Sequence, residues 1–118
     1  ENFTAKTYDV EVKTLDNYAA ENNIERIHIL KMDTQGFEDE VLKGSRTLIQ
    51  ENRIDIIETE LIVGDAYQKN LNFSDLENLL LPHDYIFCAI DHGGDLLSIP
   101  HLALNLIYVR KSLMENKL

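Results

Sequence analysis

The spacing of apolar residues along this chain switches between two and about 3.6, and the switches mark out its elements. From Tyr8 to Lys13 the pattern alternates, with Val10 and Val12 on one side and Glu11 and Lys13 on the other, which predicts a half-buried strand. Leu15, Tyr18 and Ala19 then share one face of a short helix. Thr14 or Asp16 is placed to cap its first amides, and Asn22-Asn23 to close it. Ile27 to Met32 is nearly all apolar, as in a strand of a parallel sheet covered on both faces. From Gly36 the period lengthens, and one helix is predicted with Phe37, Val41, Leu42, Ser45, Leu48 and Ile49 along its inner stripe. Glu38, Asp39, Glu40, Lys43 and Arg46 face out in this reading, with acids in the first turn as the helix dipole favours. Gly44 inside such a helix costs up to about 1 kcal/mol against alanine. A close approach of helix to sheet would offset that cost.

Ile54 to Leu61 reads as the next strand, and Phe73 to Leu81 as a helix with Phe73, Leu76, Leu79 and Leu80 on one side, stopped by Pro82. Tyr85 to Ile90 is a third core strand, Asp91-His92-Gly93-Gly94-Asp95 a turn, and Asn105 to Arg110 a last strand. Strand and helix alternate without repeats or linkers. The fold class is therefore α/β with a largely parallel sheet.

Composition narrows the function classes. A chain of 118 residues with 44% hydrophobic content is one domain or part of one. Its formal charge of -10 and scattered basic residues exclude a nucleic-acid partner, which wants a basic stripe. No apolar run reaches the length of a membrane span and no signal-peptide pattern opens the chain, which points to a cytoplasmic protein without a membrane partner. Cys88, the one cysteine, lies in an apolar run and reads as a small core hydrophobe in a reducing compartment. The chain begins at Glu1 without an initiator methionine, which suggests a piece of a longer polypeptide.

The chemistry concentrates at two strand ends. Side chains two apart on a strand share a face, so Lys31 points with Asp33, and Glu58 with Glu60. If the two strands are neighbours, one base and three acids gather at one sheet edge, where ligands of open α/β sheets bind. Such a group can position a hydroxyl, act as a general base or hold a divalent metal. The plainer alternative is that Glu58 and Glu60 are solvated and Lys31 pairs with one of them. His28, His83, His92 and His101 lack the close spacing of a zinc site, so no metal ligands are assigned.

Four segments resemble the FkbM-type methyltransferases in order and spacing: Val12-Lys13-Thr14-Leu15-Asp16; Leu30-Lys31-Met32-Asp33-Thr34-Gln35-Gly36-Phe37-Glu38; Val41-Leu42-Lys43-Gly44; and Ile57-Glu58-Thr59-Glu60. The resemblance runs from about Val10 to Val109. It implies a class I, Rossmann-like methyltransferase that moves a methyl group from S-adenosylmethionine, typically to a hydroxyl oxygen of a small-molecule acceptor. Such enzymes bind the cofactor through a glycine-rich loop after their first strand and an acid after the second. This chain has neither, and no Gly-x-Gly occurs in it. What the resemblance implies is thus the C-terminal half of the domain as one partial unit over 1–118. A lead-in strand and helix occupy 1–24. Strands four to seven occupy 25–118, in the order 4-5-7-6 with the last strand antiparallel. Asp33 and Glu60, carried over from the resemblance, and Lys31, from the strand-end cluster, are the catalytic candidates. Asp33 and Gly36 are the cofactor-binding ones, and Glu38 is a helix-start residue of the motif.

Two other classes compete. A binding or assembly module would live by pairing this half-sheet with another chain. A receiver-type signalling domain would suit the length, acidity and strand-end Asp33, but it needs an early acidic pair that is missing. The fragment reading carries two further expectations. The isolated chain is inactive with negligible cofactor affinity. Its open strand at Ile27 to Met32 drives self-association or pairing with a missing N-terminal half.

Overall fold

The computed structural model describes residues 5–63, 71–92 and 102–115. Its elements run α1 (Leu15–Glu21), β1 (Ile27–Met32), α2 (Glu38–Lys43), α3 (Arg46–Gln50), β2 (Ile54–Val63), α4 (Phe73–Leu80), a 3₁₀ turn (Leu81–His83), β3 (Tyr85–His92), β4 (Leu102–Arg110) and α5 (Lys111–Glu115). The four strands form one sheet in the order β1-β2-β4-β3. β1 pairs β2 in parallel, and β4 runs antiparallel to both β2 and β3. Three strands therefore point one way and the last points back, in the order that the resemblance implied. The adjacency of Ile27 to Met32 and Ile54 to Leu61, on which the acidic cluster depended, is present.

Coverage of the sheet is one-sided. Along β2, Asp55, Ile57, Thr59 and Leu61 are buried while Ile56, Glu58, Glu60 and Ile62 are half-buried. Ile57 belongs to a core that includes Met32, Leu42, Leu48, Ile49, Leu76, Leu80, Leu106 and Tyr108. β1 is not covered on both faces as its apolar run suggested. It lies at the sheet edge, where Ile29 is 62% exposed. β3 is likewise an edge rather than a core strand. Tyr85 is buried and donates from its hydroxyl to the Ile54 carbonyl at 2.7 Å, but Phe87, Cys88, Ala89 and Ile90 are exposed. Cys88 is thus a surface thiol at the bulge between Phe87 and Ala89, not a core hydrophobe. A run of apolar residues signals a strand but not whether the strand has a neighbour.

The lead-in strand is absent. Residues 5–14 carry no strand pairing and lie exposed, with Val12 at 89%. Alternation at Tyr8–Lys13 marks a segment suited to a sheet, and among the described residues no strand adjoins it. The helix after Gly36 is also two helices, α2 and α3, broken at Gly44-Ser45. Phe37 stays 64% exposed, whereas Val41, Leu42, Ser45, Leu48 and Ile49 turn inward.

The break has a physical cause. The Asp16 amide donates to the Gly44 carbonyl at 2.9 Å, and the Asp16 carboxylate accepts from the Thr47 and Leu48 amides at 2.8 and 3.0 Å. Asp16 thereby caps α3, whose own Ser45 makes no side-chain cap, while Thr14 caps α1 by accepting from the Asn17 amide. A Cβ on Gly44 would stand 3.3 Å from Thr14 Cβ and 3.3 Å from the Glu40 carbonyl. The close approach that favours glycine there is to the Thr14 segment, not to the sheet.

Candidate functional site

The candidate site forms where β1 leaves the sheet and β2 continues. Met32 opposite Thr59 is the last β1–β2 pair, so Asp33 and Glu60 follow at the same level. One step earlier Lys31 pairs with Glu58 in register, and the Lys31 ammonium donates to the Glu58 carboxylate. That hydrogen bond raises the Lys31 pKa, and the charges of Asp33 and Glu60 add to the effect. Lys31 and Glu58 thus form the strand-exit pair that the plainer reading anticipated, yet Lys31 still feels both other acids.

Glu60 is the perturbed member. Its Oε2 is buried without a hydrogen-bond partner. Burial raises its pKa most, the charges of Asp33 and Glu38 raise it further, and Lys31 opposes them. A carboxylate oxygen shut from water with no donor is costly in its charged form and holds a proton more tightly than usual. Asp33 is exposed, and its Oδ1 accepts from Gln35 Nε2 at 2.8 Å. The turn after it is left-handed twice, at Gln35 (φ 55°) and at Gly36 (φ 99°). Gly36 takes that conformation without the clash a side chain would bring.

Glu38 departs from its expected outward place. It is 5% exposed, and its carboxylate gathers the loop: Oε1 accepts from the Thr34 amide at 2.8 Å and the Thr34 hydroxyl at 2.9 Å, and Oε2 from the Gly36 amide at 3.1 Å. The clue in the sequence was a first-turn acid two positions after a loop glycine. Helical periodicity alone assigns such a residue to solvent.

A second charged cluster escaped sequence reading. Asp55, buried near the start of β2, accepts from Arg26 Nη1 at 2.7 Å, lies 2.7 Å from His28 Nδ1 and pairs with Arg110 Nη2 at 3.0 Å. Burial would push its pKa up. The hydrogen bonds from His28 and Arg26, with the Arg26 and Arg110 charges, outweigh burial and hold it below the ordinary value. Its partners lie 27 or more positions away along the chain, so only the sheet assembles them. All three side chains, Arg26, His28 and Arg110, are engaged by the one carboxylate, which marks a structural network at the end of the sheet away from Asp33.

Among the described residues no group of three or more His, Cys, Asp or Glu side chains could hold a metal ion. His28 is a strand residue as expected, and His83 ends the 3₁₀ turn. The His101 and Gly93-Gly94-Asp95 positions lie outside the described residues. A groove of about 570 Å³ lies between Val12–Tyr18, Leu30 and Phe37–Gly44. Leu30 and Lys31 point to opposite sides of β1, so this groove is not the acidic edge. No helix of the described residues is long and apolar enough to cross a membrane.

Compared with known proteins, the chain matches the family described as Methyltransferase FkbM domain over residues 1–87. The match takes in α1, the Asp33–Glu38 loop, β2 and α4, and it ends within β3. No curated protein and no solved structure matches the chain.

Proposed function

Because the chain belongs to the FkbM methyltransferase family, we propose that it forms the acceptor-side part of an S-adenosylmethionine-dependent methyltransferase acting on a hydroxyl oxygen. The observation that carries this reading is the buried, unpartnered Glu60 Oε2 at the level of Asp33. In the implied Rossmann-like domain, this half-sheet contributes strands four to seven, and ligands meet at the carboxyl ends of its parallel strands.

The donor set suits one end of the cofactor. An anionic edge with an unsatisfied carboxylate oxygen attracts a sulfonium and an ammonium group, and Asp33 and Gly36 would hold that end. The chain has no Gly-x-Gly turn for the adenosine end, so the isolated chain is expected to bind cofactor negligibly and to be inactive. When bound, the cofactor supplies an electrophilic methyl group. Asp33, exposed and beside the turn, orients the acceptor hydroxyl. The hydroxyl oxygen would take the methyl carbon as its bond to sulfur breaks, the cofactor leaving as a neutral thioether, and the hydroxyl proton would pass to Glu60. Burial and neighbouring negative charge have already raised its proton affinity. Lys31 limits the charge that builds up among the acids.

The test is label transfer from S-adenosylmethionine to a panel of hydroxylated acceptors by the polypeptide as its gene encodes it. Asp33→Ala is expected to lower turnover by about 10²–10⁴-fold, as loss of one positioned acid or base does, with little change in melting temperature. Near-normal turnover removes Asp33 from the site. A non-catalytic assembly module is the second reading, favoured by the exposed edge of β1. Label transfer lost on Asp33→Ala would rule it out.

A further inference from the structure

We infer that Glu38 is the positioning residue of this site: its carboxylate sets the Asp33–Gly36 turn and so fixes where Asp33 stands. The inference rests on the acceptor-side reading of Asp33 and adds a residue that the reading does not use. Three donors from the loop converge on one carboxylate: the Thr34 amide, the Thr34 hydroxyl and the Gly36 amide. Glu38 is nearly fully buried and, among the described residues, makes no salt bridge. A carboxylate in such a place is matched by donors instead of a cation, and all three come from within four residues of it.

The geometry needs this anchor. Gln35 and Gly36 are both left-handed, and a non-glycine residue is held there only when its surroundings over-determine it. Glu38 supplies that constraint from both sides of Gln35, through Thr34 before it and Gly36 after it. Glu38 itself is set by α2, whose first residue it is, and α2 is seated by Leu42 in the core. The position of Asp33 is thereby tied to the core through one side chain. Glu38 touches neither acceptor nor methyl donor in this scheme; it acts through the loop.

The discriminating variant is Glu38→Gln. It keeps the volume and one acceptor oxygen, but its NH₂ group must face either the Gly36 amide or the Thr34 donors. Loss of a charge-assisted hydrogen bond of this kind loosens the turn, so amide exchange at Thr34 and Gly36 is expected to quicken by about tenfold or more. Turnover should fall by at least a similar factor with the acceptor KM nearly unchanged, because only the reacting geometry is disturbed. Glu38→Asp, which keeps the charge, should recover part of both. Unchanged exchange at Thr34 and Gly36, or quickened exchange with normal kcat, overturns the inference. If Glu38→Gln fails to fold, Thr34→Val deletes one of the three donors on an exposed residue. A smaller loss in the same direction is then expected, and none would count against Glu38. Turnover that survives Asp33→Ala sinks the acceptor-side reading instead, and the exchange data then still decide whether Glu38 holds the loop.

Discussion

Two carboxylates on β2, the buried Asp55 and the half-buried Glu60, answer pH in opposite ways, although they lie only five positions apart. Glu60 has a raised pKa, so the folded state favours its protonated form. Its contribution to stability is present below the ordinary value of 4.5 and is lost as pH rises through the higher folded value. Glu60→Gln cannot lose a proton and should melt higher than the parent at neutral pH, by on the order of a few degrees. The difference should vanish in acid below that range, and thermal melts at several pH values check it. Asp55 is the reverse case. Its lowered pKa gives stability above 3.8 that disappears as pH falls through the folded value. Asp55→Asn leaves Arg26, His28 and Arg110 without their common partner and should cost about 3 kcal/mol at neutral pH. Denaturant titration would show it, with the gap narrowing in acid. An unchanged midpoint would mean that the cluster is solvated in solution.

At the scale of elements, the corner between α2 and α3 depends on a residue from elsewhere. Asp16 sits in the first turn of α1 yet caps α3 across 31 residues of chain. Asp16→Ala should cost about 1 kcal/mol, as the loss of a helix cap does, and the exchange of the Thr47 and Leu48 amides should quicken. If only the α1 amides respond, the cap has been misassigned. The capping residue of α4 was a different matter: Asn72 and Asp75 form a reciprocal capping box within four positions of each other. Local caps of this kind can be read along a chain. A cap borrowed from another helix cannot, because the periodicity of α2–α3 is continuous through Gly44.

On the scale of the whole molecule, the sheet ends on one side at β1, whose outer edge faces no strand among the described residues. Ile29 is exposed there, on the face opposite the groove that Leu30 and Phe37 line. An open edge with apolar side chains recruits another strand unless charge or a covering segment blunts it. The protein is therefore expected to self-associate, or to take up another polypeptide, through β1. Ile29→Lys should shift the species towards monomer in sedimentation across a concentration series. A monomer at every concentration in the parent, with rapid exchange along Ile27–Met32, would show that the edge is tolerated.

Features that depend on neighbours in the chain were legible in residue order alone: the strands at Ile27–Met32 and Ile54–Leu61, the helix at Phe73, the stop at Pro82, the family motif around Asp33. Period and turn chemistry act over a few residues, so they leave a record in order and spacing. The assembled fold sets which strands are edges, that Tyr8–Lys13 lies unpaired, that Cys88 is exposed and Phe37 with it. It also sets the two facts that matter most for the site, that Glu38 is buried under its loop and that Glu60 has an oxygen with no donor, and away from the site it gathers Arg26, His28 and Arg110 around Asp55. Burial and charge pairing are set by what the fold brings from 27 or more positions away, as with His28, Arg26 and Asp55. A local pattern proposes which way a side chain faces, and the rest of the chain decides whether it does, as Phe37 and Glu38 show.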